Sequence, residues 1–291
     1  MPILNLGSVN IDYVYEVEHF VRPGETLSSL DYQIFAGGKG FNQSIALARA
    51  GAKTFHAGRV GRDGGWLIEQ LQTEGVDTAH LHQGDTPTGH AMIQVTPSGE
   101  NAIVLFGGAN QIVTEDDLAP AFSNCSEGDY FLAQNETSAV ATAIRQAHAK
   151  KLRIVFNPAP MSPAVRDYPL NLVDLFVLNE TEAEGLTGET DPDAIQRQML
   201  SQYPHAAVVL TLGSKGAIYF DAEVLHQESA PAVDAIDTTA AGDTFIGFFL
   251  AELMQSNHPA KALQQGCHAA AICVTRTGAA DSIPHLRELQ L

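Results

Sequence analysis

The chain has 291 residues, of which 45% are hydrophobic and 17% charged, and a formal net charge of −18. This length and composition are typical of a globular enzyme with a large core. The negative charge argues against nucleic acid or an anionic membrane as a partner, because both would be repelled. No apolar run is long enough to span a bilayer, and the amino terminus lacks a signal-peptide pattern. We therefore expect a cytoplasmic protein.

In chain order, apolar runs of strand length alternate with helical segments. Strands are predicted at 3–6, 130–133, 154–156, 175–178 and 207–212, and helices at 42–50, 138–150 and 192–203. Asp63 is predicted to cap a helix that ends near Gly75. The alternation predicts an α/β fold with a mostly parallel central sheet and helices on both faces.

Ligands of such sheets bind at the carboxyl ends of the strands. The polar residues that follow predicted strands are therefore candidates for one cleft: Asn10, Asp12, Glu136, Asn157, Asn179 and Thr211.

Two segments, about 13–35 and 88–106, are strand-rich but have no helix between the strands. The second contains a hairpin that turns at residues 97–100. Together they predict a small antiparallel sheet beside the main domain. It is either a lid that excludes water from a substrate or a dimer interface, and one sheet can do both.

The segment 237–245 (DTTAAGDTF) carries the most information about function. It precedes an apolar helix predicted at 245–254, so unpaired backbone N–H groups and the positive end of a helix dipole lie at its start. The small residues Ala240, Ala241 and Gly242 leave room for a phosphate or oxyanion there. Asp243 would then be a general base for a hydroxyl that attacks phosphorus. The alternative is that Asp237 or Asp243 merely caps the helix.

Three other motifs each have a structural and a functional interpretation. The loop 37–43 (GGKGFNQ) has neither Walker A nor dinucleotide-binding spacing, and by itself predicts a tight turn. The turn 211–216 suits either a nucleotide contact or a plain hairpin. Asn179 with Glu182 predicts either a helix cap or a contact with magnesium-bound phosphate. The eleven histidines and three cysteines lack zinc-ligand spacing.

Taken in register from residues 7–12 to 282–284, these motifs resemble the PfkB family of carbohydrate kinases. They include 22–26 (RPGET), 37–43, 99–101 (GEN), 157–160 (NPAP), 179–182 (NETE) and 237–245. The resemblance implies a single domain over 1–291 with a ribokinase-like three-layer α/β/α fold, a lid sheet that forms a homodimer contact, and transfer of the ATP γ-phosphate to a primary hydroxyl of a small sugar. Ribose is the expected acceptor; deoxyribose, fructose, 2-keto-3-deoxygluconate or a nucleoside are alternatives, and a sugar-binding protein without activity is another.

The resemblance also implies roles for residues. Asp243 would be the base, with Ala240, Ala241 and Gly242 as the anion hole. The sugar would contact Asn10, Asp12, Gly38, Lys39, Gly40, Asn42 and Glu136. ATP would contact Asn179, Thr211, Gly213, Ser214, Gly216, Gly242 and Cys267. Glu182 would hold Mg²⁺ through water. A K⁺ ion would be held by Asp237, Thr239, Cys273, Arg276, Gly278 and Ser282, mainly through backbone carbonyls.

The chain departs from the family pattern at three places. Phe41 replaces a usual alanine and is expected to reshape the sugar pocket or to stack on a base. Gln134 and Asn135 are more polar than the usual residues. Cys267, with His268 beside it, replaces the usual adenine-side Asn or His. These differences leave the identity of the sugar open.

Overall fold

The fold is described by a computed structural model that covers residues 1–289. The predicted single domain extends to residue 291, so its last two residues lie outside the described range. Between residues 1 and 289, no helix has both the length and the apolar character needed to cross a membrane.

Strands and helices follow the predicted alternation. The strands are β1 (Ile3–Leu6), β2 (Asn10–Glu16), β3 (Asp31–Gly37), β4 (Thr54–Gly61), β5 (Asp77–Gly84), β6 (Gly89–Val95), β7 (Asn101–Phe106), β8 (Tyr130–Gln134), β9 (Arg153–Asn157), β10 (Leu175–Asn179), β11 (Ala207–Thr211), β12 (Ala217–Phe220) and β13 (Leu225–Glu228). The α-helices are α1 (Lys39–Arg49), α2 (Gly65–Thr73), α3 (Glu115–Ser123), α4 (Val140–Ala149), α5 (Glu180–Thr187), α6 (Pro192–Gln202), α7 (Ala241–Ser256) and α8 (Pro259–Cys273).

The large sheet has nine strands in the order β13-β12-β11-β10-β9-β8-β1-β4-β5. Its strands run parallel from β5 to β11, and β12 and β13 continue it antiparallel. Because successive side chains of a strand point to opposite faces, both faces are apolar: on β8, Phe131 packs in the core with α3–α6, and Leu132 packs in the core with α7 and α8. The predicted mostly parallel α/β fold is therefore confirmed.

The small sheet has the order β3-β2-β6-β7. The prediction that it is antiparallel is wrong for one pair, since β2 and β6 run parallel. The reason is topological: β2 follows β1 and β6 follows β5, and both of those strands run parallel within the large sheet. The chain therefore leaves the carboxyl ends of β1 and β5 in the same direction, and the strands that follow, β2 and β6, run parallel to each other.

The predicted cap at Asp63 is also wrong. Residues 62–64 form a short 3₁₀ turn, and α2 begins at Gly65. The Asp63 carboxylate instead accepts hydrogen bonds from the Thr88 backbone N–H (3.0 Å) and hydroxyl (2.6 Å). These two hydrogen bonds fix the segment that enters β6. The sequence did not predict them, because the donors of Thr88 are brought to Asp63 only by the tertiary fold.

Candidate active site

An open cavity of about 240 Å³ lies where the carboxyl ends of β9, β10 and β11 meet the start of α7. Its lining is Lys39, Asn157, Ala159, Val177, Leu178, Asn179, Glu182, Thr211, Thr238, Ala240, Ala241, Gly242, Asp243 and Ile246. Residues from five predicted motifs are thus brought together at the edge where parallel sheets bind their ligands.

The start of α7 faces this cavity without a side-chain cap. Ala240 precedes the helix in the left-handed conformation (φ 59°), and no side chain accepts a hydrogen bond from the first turn. Gly242 is exposed, and a Cβ placed there would meet nothing within 4 Å. The Ala241 N–H donates to the Thr238 carbonyl (3.2 Å), but the exposed Gly242 N–H and the positive end of the helix dipole are accessible to an anion.

Asp243 is buried in the first turn of α7 and does not cap it. Its Oδ1 accepts a hydrogen bond from Gln43 Nε2 (2.8 Å) and its Oδ2 accepts one from Asn42 Nδ2 (3.0 Å). Burial raises the pKa of Asp243, and Lys39 and the two amides oppose that shift. The result is a carboxylate that is more basic than a solvated one, which suits the acceptance of a proton.

Asp237, the other candidate cap, is used elsewhere. Its carboxylate accepts hydrogen bonds from the backbone N–H groups of Thr239 (2.9 Å) and Gly278 (3.0 Å). The backbone N–H of Asp237 and that of Ile236 both donate to the carbonyl of Val274. These contacts hold the segment 236–239 against the segment that follows α8.

Lys39 connects the cavity to a second polar group beside the small sheet. Its backbone N–H donates to Glu136 Oε2 (3.0 Å), which also accepts a hydrogen bond from the Ser8 hydroxyl. Asp243, then Glu136 and Glu182, raise the pKa of the Lys39 ammonium against the effect of burial. Burial, followed by the neighbouring charge of Glu136, raises the pKa of Asp12 to about 6. The hydroxyl groups of a polyhydroxylated ligand could donate hydrogen bonds to the carboxyl groups of Asp12 and Glu136 here.

The glycines before α1 permit this arrangement. Gly38 has φ 94°, which strongly favours glycine, and a Cβ there would lie 2.8 Å from the Ser8 carbonyl oxygen. Gly40 packs directly on Gly7, where a Cβ would overlap the backbone. The prediction of a tight turn over 37–43 is therefore wrong for residues 39–43, which already belong to α1, and only Gly38 separates β3 from that helix. The glycines allow the first turn of α1 to pack on the end of β1.

Asn179 and Glu182 form the helix cap that the sequence predicted. Asn179 caps α5 by accepting from the Glu182 backbone N–H (2.8 Å), and Glu182 Oε2 accepts from the Asn179 backbone N–H (2.9 Å). Both residues also line the cavity. The cap and a ligand contact are compatible, because Glu182 Oε1 accepts one hydrogen bond, from Asn179 Nδ2 (2.9 Å), and has a second lone pair.

Several predicted residues do not reach this cavity. Cys267 is buried in the core with α7 and β12, and the turn residues Gly213, Ser214 and Gly216 lie beyond Thr211, outside the lining. Asn10 contacts the buried Asn110, whose Nδ2 donates to its Oδ1 (2.8 Å). Phe41 is fully buried against Ile45. The expectation that Phe41 stacks on a base is wrong, because its position in α1 points it into the core.

Sequence reasoning missed two residues of the site. Gln43 contacts Asp243 directly, and Gln134 contacts Gln43. The available signal was a pair of adjacent amides, Asn42 and Gln43, in a helix that is otherwise buried. Their hydrogen-bond partners lie far away in the sequence, so the contacts could not be predicted from the sequence alone.

The family model for pfkB carbohydrate kinases matches residues 3–286, and the chain belongs to that family. The chain is 40% identical to a ribokinase of Haemophilus influenzae over 97% of this chain and 95% of that protein. It is 30% identical to a deoxyribokinase of Salmonella typhi over 99% and 97%.

Solved structures agree with the fold. Ribokinase from Arabidopsis thaliana, complexed with ribose and ATP, superposes with a TM-score of 0.89 at 30% identity, covering 98% of this chain and 96% of that one. Ribokinase from Cryptococcus neoformans in complex with ADP has a TM-score of 0.85 at 34% identity, covering 99% and 98%. The ribokinase-like fold predicted from the motifs is confirmed.

Proposed function

We propose that this protein is an ATP-dependent sugar kinase that phosphorylates the primary hydroxyl of ribose to give ribose 5-phosphate. The observation that carries the proposal is a buried carboxylate, Asp243, beside the uncapped start of α7. The similarity to ribokinases over nearly the whole chain supports ribose and ATP as the substrates.

In the proposed complex, the sugar lies on the side of Asp12, Asn42 and Glu136, and ATP lies on the side of Asn179 and Thr211. Asn42 supports this division, because its Oδ1 is buried and has no hydrogen-bond partner among the described residues. A sugar hydroxyl would donate to that oxygen. The remaining residues that we assign to the sugar are Asn10, Gly38, Lys39 and Gly40, and those that we assign to the nucleotide are Gly213, Ser214, Gly216 and Cys267. Of the latter, Cys267 has the weakest support, since it is buried in the core.

Asp243 accepts the proton of the sugar hydroxyl while that oxygen forms a bond to the γ-phosphorus. The bond between the γ-phosphorus and the bridging oxygen of ADP breaks, and its electron pair leaves with ADP. The anion hole at Ala240, Ala241 and Gly242 stabilises the charge on the transferred group, chiefly through the Gly242 N–H, because the Ala241 N–H donates to the Thr238 carbonyl (3.2 Å). Lys39 supplies a positive charge next to Asp243 and the cavity.

Mg²⁺ would neutralise charge on the phosphates when bound. Within residues 1–289, no cluster of three or more acidic, histidine or cysteine side chains could hold a metal ion. This fits Mg²⁺, which keeps several waters and is usually held by one or two carboxylates together with substrate phosphates. We assign Glu182 as the carboxylate that contacts it through water, since it lines the cavity.

K⁺ would add positive charge beside the anion hole when bound. The contacts of Asp237 hold the two segments that would supply its ligands against each other. Backbone carbonyls and hydroxyls are the hard oxygen donors that such an ion prefers, so the donor set of Asp237, Thr239, Cys273, Arg276, Gly278 and Ser282 is suitable. Cys273 would contribute through its carbonyl, because its thiol contacts the Ser282 hydroxyl at 3.0 Å.

We also propose that the small sheet forms a homodimer contact. One face of it exposes large apolar side chains from three strands that the register places side by side with Tyr13, namely Ile34 (50% exposed), Met92 (49%) and Val104 (67%). A contiguous exposed apolar surface of this kind is typical of a protein interface. Light scattering after size exclusion should give a dimer for the wild type and a monomer for Val104→Glu. An unchanged mass for the variant would refute this interface.

The test of the proposed function is ADP release from ATP and Mg²⁺ with ribose as the acceptor, with and without K⁺. Ribose should be turned over faster than any other sugar, and Asp243→Asn should lower kcat by about 10²–10⁴-fold, the usual range for general base catalysis. A folded Asp243→Asn protein with wild-type turnover would refute the assigned base. Faster turnover of deoxyribose would favour the second candidate, for which the 30% identity to a deoxyribokinase is the supporting observation.

A further inference from the structure

Asp243 is held by a chain of three buried amides that no assigned role includes. Gln134 Nε2 donates to Asn5 Oδ1 (2.9 Å) and to Gln43 Oε1 (2.7 Å). Gln43 Nε2 in turn donates to Asp243 Oδ1 (2.8 Å) and to Asn157 Oδ1 (3.2 Å). We call Asn5, Gln134 and Gln43 the amide chain. All three residues are at most 1% exposed.

The orientation of the amide chain is set at the end that lies away from Asp243. Asn5 Nδ2 donates to the backbone carbonyl of Gly40 (2.9 Å), and a carbonyl can only accept. Asn5 must therefore turn its oxygen toward Gln134, so Gln134 must turn its Nε2 toward Asn5. The same Nε2 reaches Gln43, whose oxygen then faces Gln134 and whose Nε2 faces Asp243.

The buried oxygen of Gln134 supports this direction. Gln134 Oε1 has no hydrogen-bond partner among the described residues, whereas its Nε2 has two acceptors. A flipped Gln134 would place its oxygen against two other oxygens. Leaving the buried Gln134 Oε1 without a donor costs free energy. The opposite orientation would cost more, because the Nε2 would lose both of its acceptors.

We propose that Gln43 is a positioning residue for the general base, and that Asn5 and Gln134 fix its amide so that an N–H always faces Asp243 Oδ1. The proposal rests on the proposed kinase function for its catalytic consequence. Each oxygen of Asp243 then accepts one amide N–H, Oδ1 from Gln43 and Oδ2 from Asn42, so the plane of the carboxylate is fixed from both sides. The amide also ties Asp243 to Asn157, which donates to Glu182 (3.4 Å) on the nucleotide side.

The sharpest variant is Gln43→Glu, which keeps the shape of the side chain. Its second carboxylate oxygen would face Asp243 Oδ1 in place of the N–H, and two adjacent carboxylates cannot both ionise readily. We expect the acid limb of the kcat profile to move up by at least about one pH unit, so that kcat measured on that limb at a fixed pH falls by up to about tenfold, with KM for the sugar changed less than about threefold. Gln43→Met, which only loses the donor, should shift in the same direction by less.

Other titratable groups that face Asp243 are unchanged in these variants. They are Lys39 from α1, Glu182 from α5 and Cys273 at the end of α8. The matched control is Gln265→Glu, since Gln265 is also a buried amide that packs against α7 and donates to the Phe248 carbonyl (3.2 Å). It should lose stability without a shift of the pH profile.

Gln134→Glu tests the chain at a distance, because Gln134 makes no hydrogen bond to Asp243 among the described residues. A carboxylate at 134 would require Gln43 to turn its Nε2 away from Asp243. The pH profile should then shift in the same direction as in Gln43→Glu.

A second readout separates this proposal from the kinase assignment. The carboxyl carbon resonance of Asp243, identified by its absence in Asp243→Asn, is titrated in the protein without substrate. An upward shift of its midpoint in Gln43→Glu and Gln134→Glu, but not in Gln265→Glu, would support the proposal even if no sugar were phosphorylated. Equal midpoints in all variants, or equal pH profiles for Gln43→Glu and Gln265→Glu, would overturn it.

Discussion

The position of Asp243 depends on a glycine one helical turn further along α7. A Cβ on Gly247 would overlap the Ala46 side chain of α1 and would lie 2.7 Å from the Leu47 backbone nitrogen. Ordinary van der Waals contact begins at 3.4 Å, and the contact with the Ala46 Cβ falls short of it by the most, so Gly247→Ala must separate α1 from α7 by about 1.1 Å at this point. The neighbouring atoms are mainly backbone and cannot rotate away.

This separation should affect activity more than stability. Overpacking of a core usually costs about 1–3 kcal/mol. The higher helix propensity of alanine offsets about 1 kcal/mol of that cost. The same shift draws Asp243 away from Asn42 and Gln43, which lie on α1, and a misplacement of about 1 Å can lower a rate by about 10²-fold. We expect kcat to fall by tenfold or more in a folded protein.

The assay is ribose-dependent ADP release together with urea unfolding, with Gly65→Ala as the control. Gly65 also lies in a helix, but a Cβ there would meet only the flexible Gln83 side chain at 3.3 Å. If Gly247→Ala retained the kcat of Gly65→Ala, the close approach of α1 and α7 would not be what positions the base.

Three further predictions concern the rest of the site. Because the pKa of Asp12 is raised to about 6, the stability that its protonated form contributes is complete below about pH 3.8 and is lost as the pH rises through about 6. Asp12→Asn should therefore melt at a higher temperature than wild type at pH 7.5 but at the same temperature at pH 3.5, and its KM for the sugar should rise. A difference in melting temperature that does not change with pH would contradict this. Asn179→Ala should lose about 1 kcal/mol of unfolding free energy through the cap of α5, and nucleotide KM should rise with it, as measured by urea unfolding and ATP titration. EDTA should abolish turnover but leave the melting temperature of the substrate-free protein unchanged, because the proposed Mg²⁺ is bound mainly by the phosphates of ATP and contacts Glu182 only through water.

Much of this protein could be predicted from local patterns in the sequence. The alternation of apolar runs predicted the parallel sheet, because strands buried on both faces must be continuously apolar and must be joined by helices. The small residues before α7 predicted a helix start open to an anion, and Asn179 with Glu182 predicted the cap of α5. Each of these features depends on residues within a few positions of one another.

The tertiary structure decided what depends on distant partners. Asp63 has donors at Thr88 instead of a helix to cap, and β2 lies parallel to β6 because of the order in which the chain leaves the large sheet. Phe41 follows the core face of its helix into the interior. The amides of the network around Asp243 come from β1, α1, β8 and β9, and are separated from it by 86–238 residues. Hydrogen bonding is directional and short-ranged, so no sequence pattern specifies which buried donor will meet which acceptor until the helices and strands have packed.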